Sequence, residues 1–278
     1  MAKQKRSENT YQKINTIFMR DAKNVIMPYE PFVKPEFEYL RSLKWRGEEK
    51  VDGTNMRIEV TKSKVLVPGF DMNDTDANIV GVTFKVRFAG KTDNAQIPKN
   101  LLKHMEEKYT DEKVLAALGL KDFIPVGEWS EHKWNSYEDI PNIYTIYGEG
   151  YGEGIQSGGW YIKGGNEFIV FDVKVNDLYL KTDARDDIAT KLGAPIVPLK
   201  GYFTLDEAID YVRKGFRSDV AENPDAKMAE GLVLRTDLGL RDRMGERLIV
   251  KVKYEDFQKY RNVYGTDEKV EQEKNMHY

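Results

Sequence analysis

The sequence predicts an α+β fold of antiparallel sheets flanked by helices. Three observations carry this: short apolar segments with period-two patterning recur along the chain, helical segments are interspersed with them, and the two kinds follow no regular strand-helix-strand period. A doubly wound parallel sheet would impose that period.

Strand signals fall at Met56 to Val60, Lys64 to Val67, Val82 to Phe88, Ile143 to Tyr147, Glu167 to Val175, Gly231 to Arg235 and Leu248 to Lys253. Pro98 opens a helix as a first-turn proline, with Leu101, Leu102 and Met105 at helical spacing. A second helix runs through Val114 to Leu118 and ends at Gly119, and a third spans Ala184 to Leu192, stopped by Gly193 and Pro195. Thr204-Leu205-Asp206-Glu207 reads as a capping box for a helix that closes at Gly215. The first dozen residues are polar and read as frayed, Tyr11 to Met27 as a flap or strand, and the mostly charged stretch from Thr266 as loose. No linker, repeat or low-complexity block marks a domain boundary.

Composition narrows the chemistry. With 278 residues, 40% of them hydrophobic, the chain is long enough to bury a sizeable core. A net charge of −3 gives no overall pull toward nucleic acid, so such contact has to come from a local basic surface. The absence of cysteine excludes disulfides and thiolate chemistry, and His104, His132 and His277 have no metal-ligand spacing. There is no apolar run long enough to span a bilayer and no signal core at the start, which reads as a cytoplasmic chain.

The chemistry starts at Leu248 to Lys253. Strand alternation puts Lys251 and Lys253 on one face and Val250 and Val252 on the other, so two ammonium groups sit about 7 Å apart on a rigid element. Such a pair suits either a solvated sheet edge or a triphosphate. It would also help a third lysine. Lys50, in Glu49-Lys50-Val51-Asp52-Gly53-Thr54-Asn55, is the candidate nucleophile. At an ordinary pKa of about 10.4 only roughly one lysine in a few thousand is neutral at pH 7, and nearby cations shifting it toward about 7 to 8 would recover on the order of a thousandfold. Gly53 would let the backbone approach a nucleotide. Glu149 and Glu230, each followed by glycine beside a strand, are read as carboxylates on Mg²⁺ or on ribose hydroxyls. In Glu167 to Val175, Ile169, Phe171 and Val173 share one face and Phe168, Val170 and Asp172 the other, with Phe171 either core or a stacking face for a purine. The glycines at 148, 150, 152 and 154 fit neither a dinucleotide-binding fingerprint nor a P-loop.

Taken in order, these motifs resemble those of the covalent lysyl-nucleotidyltransferases, and most closely the ATP-dependent RNA ligases of the phage nick-sealing type. Lys50-Val51-Asp52-Gly53-Thr54-Asn55 is similar to that branch's Lys-x-x-Gly-Thr-Asn motif, where DNA ligases and capping enzymes tend to carry Arg at the position of Asn55. Tyr147-Gly148-Glu149, Phe171-Asp172, Glu230-Gly231 and Lys251-Val252-Lys253 resemble the later motifs, and Arg87 to Asp93 resembles a segment that contacts the nucleic-acid end.

The resemblance implies a nucleotidyltransferase (ATP-grasp-like) domain over residues 46–260, an extension over 1–45 packed on it, and a charged tail over 261–278. The stretch after Lys253 is expected to be too short for the oligonucleotide-binding (OB) domain of DNA ligases and capping enzymes. It further implies that Lys50 bears AMP, that Phe171 stacks on adenine and that Lys251 and Lys253 hold the phosphates. Glu149 and Glu230 would contact ribose or metal, Glu49 and Asn55 the nucleotide, and Thr54, Arg57, Arg87 and Lys91 the nucleic acid. The cofactors would be ATP and Mg²⁺ or Mn²⁺, and the partners RNA ends bearing a 5′-phosphate and a 3′-hydroxyl. The alternatives are a DNA ligase, an mRNA-capping guanylyltransferase, or an inactive nucleotide- or nucleic-acid-binding module.

Overall fold

The structure, a computed structural model, describes residues 9–68 and 78–265. The first eight residues of the polar start and the stretch from Thr266, including His277, lie outside the described residues. In chain order the strands are β1 (Asn15–Thr16), β2 (Trp45–Lys50), β3 (Thr54–Leu66), β4 (Ile79–Gly90), β5 (Phe123–Pro125), β6 (Ile143–Gly152), β7 (Asn166–Val175), β8 (Leu178–Tyr179), β9 (Leu199–Phe203), β10 (Gly231–Arg235) and β11 (Ile249–Lys253). The helices are α1 (Pro35–Tyr39), α2 (Lys99–Lys108), α3 (Asp111–Ala117), α4 (Thr182–Leu192), α5 (Leu205–Lys214) and α6 (Tyr254–Tyr264). The mixed fold with antiparallel sheets and helices is the one the sequence predicts.

The chain divides into two compact units. Among the described residues, one takes Gly53–Ile196 together with residues 9–11, and the other takes Gln12–Asp52 together with residues 197–265. Each unit is assembled from separated stretches of chain, which is why no linker betrays the division.

The first unit holds a sheet in the order β5-β4-β3-β6-β7-β8, every neighbouring pair antiparallel. Met56, Ile58 and Val60 of β3 alternate onto the core face, where they join Val82, Ile146, Phe168 and Val170 under Leu101 and Met105 of α2 and Val114 and Leu115 of α3. β3 continues through the polar Lys62 to Lys64 instead of breaking there, because that stretch still pairs with β4 along a hairpin.

In the second unit the order is β1-β11-β10-β2-β9, with β1 parallel to β11 and the rest antiparallel. Trp45, Leu232, Leu234, Val250 and Val252 form its core with Leu205, Ala208 and Val212 of α5 and Phe257 of α6. The capping box of α5 is formed: Glu207 N–H donates to Thr204 Oγ1 at 3.2 Å and Thr204 N–H to Glu207 Oε2 at 2.7 Å.

β2, which ends on Lys50, carries no strand signal in the sequence. Trp45-Arg46-Gly47-Glu48-Glu49-Lys50 is charged, yet Glu48 and Glu49 are each 1% exposed. Glu48 is held by Arg46 at 3.0 Å and Arg235 at 2.7 Å, and those ion pairs make burial of a charged strand tolerable.

Candidate active site

The second unit brings three of the expected residues together. Gly231 stands in register with Lys50 of β2 on one side and Lys253 of β11 on the other, so the row reads Lys50, Gly231, Lys253 across three strands. Gly231 projects no side chain between the lysines, and both ammoniums reach the carboxylate just before it. Lys50 Nζ lies 2.7 Å from Glu230 Oε2 and Lys253 Nζ lies 3.0 Å from Glu230 Oε1. Lys253 also pairs with Glu255. The start of β10 is pinned by the chain after β11, where Tyr254 N–H donates to the Glu230 carbonyl at 2.8 Å. Glycine is required at 231: its φ is +151°, and a Cβ there would lie 2.0 Å from the Val252 carbonyl oxygen.

Lys251 shares the face of Lys253, while Val250 and Val252 are fully buried on the other face, as strand alternation dictates. The Lys251 ammonium makes no hydrogen bond or ion pair with any described residue. Burial first, then the positive charges of Lys50 and Lys253, push its pKa below the ordinary lysine range. Burial would depress Lys253 too, but the Glu230 and Glu255 carboxylates outweigh it and hold Lys253 above that range. Asp52 is raised by burial and then by the charge of Glu230.

Glu49 is turned away from this cluster. It alternates onto the opposite face from Lys50, accepts a hydrogen bond from Ser218 Oγ and another from the Asp219 N–H at 2.9 Å, and is raised by burial.

In the first unit, Gly53 has a reason the sequence did not supply. A Cβ on it would sit 2.2 Å from the Gly150 carbonyl oxygen, so the glycine serves a close approach of β6, and not only an approach to nucleotide. Thr54 pairs with Gly150 and Asn55 with Glu149. The Asn55 Oδ1 atom is buried without a hydrogen-bond partner among the described residues. Arg57 corrects an expectation. Its side chain is fully buried, with Nε 2.6 Å from Glu59 Oε1, Nη1 donating to the Gly90 carbonyl and Nη2 to Asp93. A guanidinium spent in this way braces the turn after β4 and is not placed to meet a phosphate. Arg87 is half-exposed and tied to Glu59 and Asp93, whereas Lys91 is exposed on the braced turn.

Phe171 corrects another. The register between β6 and β7 shifts between Tyr147 and Gly148: Tyr147 faces Asp172 and Gly148 faces Val170, which leaves Phe171 as the extra residue of a β-bulge. Alternation therefore switches, and Val173 joins Phe168 and Val170 in the core instead of sharing a face with Ile169. The bulged Phe171 carbonyl accepts from Nη1 of Arg185, a buried side chain of α4, at 3.0 Å. Tyr11 packs on Phe171 and donates its hydroxyl to Asp172 Oδ2 at 2.8 Å.

This ordered set, a lysine at a strand end, a Glu-Gly at the start of one neighbouring strand and two same-face lysines on the next, lies inside residues 43–253, which match the RNA ligase family. The chain belongs to the RNA ligase family. No curated protein sequence is similar enough to match it. Among solved structures it resembles a mutant RNA ligase of Naegleria gruberi with ATP and Mn, at TM-score 0.51 and 16% identity over 91% of this chain and 58% of that one. A second mutant of the same ligase, in apo form, gives TM-score 0.51 at 15% identity over 91% and 58%, and a third, with ATP and Mn, 0.50 at 16% over 93% and 59%. At these identities the likeness is one of fold, and the chain spans less than two thirds of the length of those ligases.

For this family member, sequence reasoning missed Glu48, Arg46 and Arg235 on the Lys50 face, and Tyr11 and Arg185 around Phe171. Only the Arg-x-Glu spacing of Arg46 and Glu48 left a trace in the sequence. The others are brought in from distant segments. Among the described residues, no helix is long and apolar enough to cross a membrane.

Proposed function

We propose that the chain is an ATP-dependent RNA ligase that joins a 3′-hydroxyl to a 5′-phosphate through a lysyl-AMP intermediate. The observation that carries the reading is the convergence of Lys50 and Lys253 on Glu230, with Lys251, whose ammonium has no partner among the described residues, on the same strand face, in a member of the RNA ligase family. A triphosphate competes with Glu230 for the two ammoniums, and Lys251 has no described protein partner to give up.

In the first step Lys50 leaves Glu230, loses a proton to solvent and attacks the α-phosphorus of ATP. The N–P bond forms as the bond to the β-phosphate oxygen breaks, and pyrophosphate leaves. Lys251 and Lys253 stabilise the charge that develops on the phosphate oxygens. AMP then passes from Lys50 to a 5′-phosphate, and an RNA 3′-hydroxyl displaces AMP to leave a phosphodiester. Phe171 stacks on the base. Asn55 Oδ1, a buried acceptor without a described partner, fits a ligand donor such as a ribose hydroxyl.

Glu149 and Glu230 are the carboxylates assigned to a divalent metal. Mg²⁺ and Mn²⁺ need only one or two carboxylates besides phosphate oxygens. A metal held there would neutralise charge on the triphosphate. Lys91, on its braced turn, is the residue assigned to the nucleic acid, with Arg87 of β4 and Thr54 of the paired strand β3.

The test is to incubate the protein with each α-labelled nucleoside triphosphate and Mg²⁺ and to look for label on the denatured band. ATP should label it, and Lys50→Ala and Lys50→Arg should not, since arginine is never deprotonated enough to form the phosphoramidate. Labelling by GTP alone would favour a capping enzyme. Sealing of DNA in preference to RNA 3′-hydroxyl ends would overturn the RNA assignment while leaving the nucleotidyl chemistry standing.

A further inference from the structure

We propose that Tyr11, from the N-terminal segment, is a positioning residue for the base-stacking ring of Phe171. The inference rests on the reading of Phe171 given above and adds a residue that no motif contains.

Phe171 sits at a β-bulge, where the strand gains a residue and its side chain is re-aimed. A bulged residue loses ladder hydrogen bonds, so its orientation has to be fixed by other contacts. Arg185 takes the carbonyl, and Tyr11 takes the side-chain end. The Tyr11 ring lies 4.9 Å from Phe171 at 69°, a nearly perpendicular contact. Its hydroxyl donates to Asp172, the next residue along the same bulge, whose side chain is buried. One side chain therefore holds two consecutive residues, the ring of the first and the carboxylate of the second.

Tyr11 is itself held. It is 5% exposed, packs against Tyr147 at 5.0 Å and Tyr179 at 6.0 Å, and follows Asn9, whose carbonyl accepts from the Tyr147 hydroxyl at 2.9 Å. Three aromatic rings and one carboxylate thus lock Tyr11 onto β6, β7 and β8. A ring nearly perpendicular to Phe171 is not itself parallel to a base stacked there, so its contribution to nucleotide binding is indirect. It sets the tilt that Phe171 presents.

The experiment is a double-mutant cycle on the full chain, with KM for ATP and kcat read from self-adenylylation. Phe171→Ala should raise KM for ATP on the order of tenfold, the loss of one base stack. Tyr11→Leu should raise it comparably with kcat little changed, and should add less than about twofold in the Phe171→Ala background, because both changes remove the same presentation of the ring. Tyr11→Phe, which keeps the ring and loses only the Asp172 bond, should fall between Tyr11→Leu and the wild type, and guards against a Tyr11→Leu protein that does not fold. Full additivity of Tyr11→Leu with Phe171→Ala, or an unchanged KM in Tyr11→Phe and Tyr11→Leu while Phe171→Ala is impaired, would overturn the role of Tyr11 alone. An unchanged KM in Phe171→Ala would instead sink the stacking assignment, and the Tyr11 proposal with it.

Discussion

Gly231→Ala should disable the site by breaking the sheet that carries it. At φ +151° a β-carbon is strained whatever the space around it, at a cost of about 1 to 3 kcal/mol. The same β-carbon would lie 2.0 Å from the Val252 carbonyl oxygen and 2.9 Å from the Lys253 Cα, so β10 and β11 have to part by about 1 Å, outside ordinary contact distance. Parting loosens the ladder beside Gly231, and each hydrogen bond lost there is worth about 1 kcal/mol. The sum is about 3 to 5 kcal/mol, or a fall in Tm of roughly 5 to 9 °C in a chain of this size. The displaced strand end carries Lys253 and the adjoining Glu230, so the convergence of two lysines on one carboxylate is lost as well. Adenylylation measured at 15 °C, where the variant is still folded, should therefore drop by about two orders of magnitude or more. Thermal unfolding and a labelled-ATP gel are the two assays. A variant with wild-type Tm and wild-type labelling would show that Gly231 is not the spacer on which this reasoning depends.

Lys251→Met should raise KM for ATP while leaving Tm unchanged or slightly higher, since burial disfavours the charge of Lys251 and it has no described ion pair to lose; a clear fall in Tm would assign it a structural role. Lys253→Met should lower both activity and Tm, because Glu230 and Glu255 are left without that cation. The folded pKa of Glu49 is raised, so the stability linked to it is fully present below the ordinary carboxylate pKa of 4.5 and is lost as pH rises through the raised value. Glu49→Gln should flatten that part of a Tm-against-pH curve, and an unchanged curve would show that burial does not govern Glu49. Arg57→Met should destabilise by about 3 to 5 kcal/mol, as it strips a buried partner from Glu59; a Tm near wild type, with weakened RNA binding, would return Arg57 to the nucleic-acid surface.

What the sequence made legible was whatever depends on local periodicity. β11 could be read because Val250 and Val252 alternate with Lys251 and Lys253, and α5 because Thr204 and Glu207 cap each other three residues apart. β2 could not, because its burial depends on Arg235 and Ser218, which lie far away in sequence, and no window around Lys50 contains them. The bulge at Phe171 was hidden for a related reason. Strict alternation is the only signal a strand offers, and one extra residue inverts it for everything downstream, which moved Val173 to the core. Arg57 was misread because an arginine beside a nucleophile motif looks the same in sequence whether it meets a phosphate or Glu59 and Asp93.

The arrangement around Glu230 explains why a Glu-Gly pair, an unremarkable turn sequence elsewhere, is useful at this place. Two lysines on strands flanking β10 repel each other, and an acceptor between them relieves that repulsion while keeping both side chains aimed at one point. Gly231 lets the carboxylate take that position, because any side chain on the central strand would stand between the two ammoniums. On the proposed function, the carboxylate holds the place of a phosphate: it presents two anionic oxygens, one to each lysine, at 2.7 and 3.0 Å. A triphosphate that displaces it meets cations already pointed at a shared anion, and the reorganisation left for Lys50 is the loss of one partner and one proton. Glu230→Gln separates the two parts of this argument. The amide keeps the shape but offers one acceptor oxygen and no charge, so the rate of AMP transfer should fall and, with the metal assignment to Glu230, the Mg²⁺ requirement should rise; wild-type labelling at an unchanged Mg²⁺ requirement would show that neither the aim of the lysines nor the metal depends on Glu230.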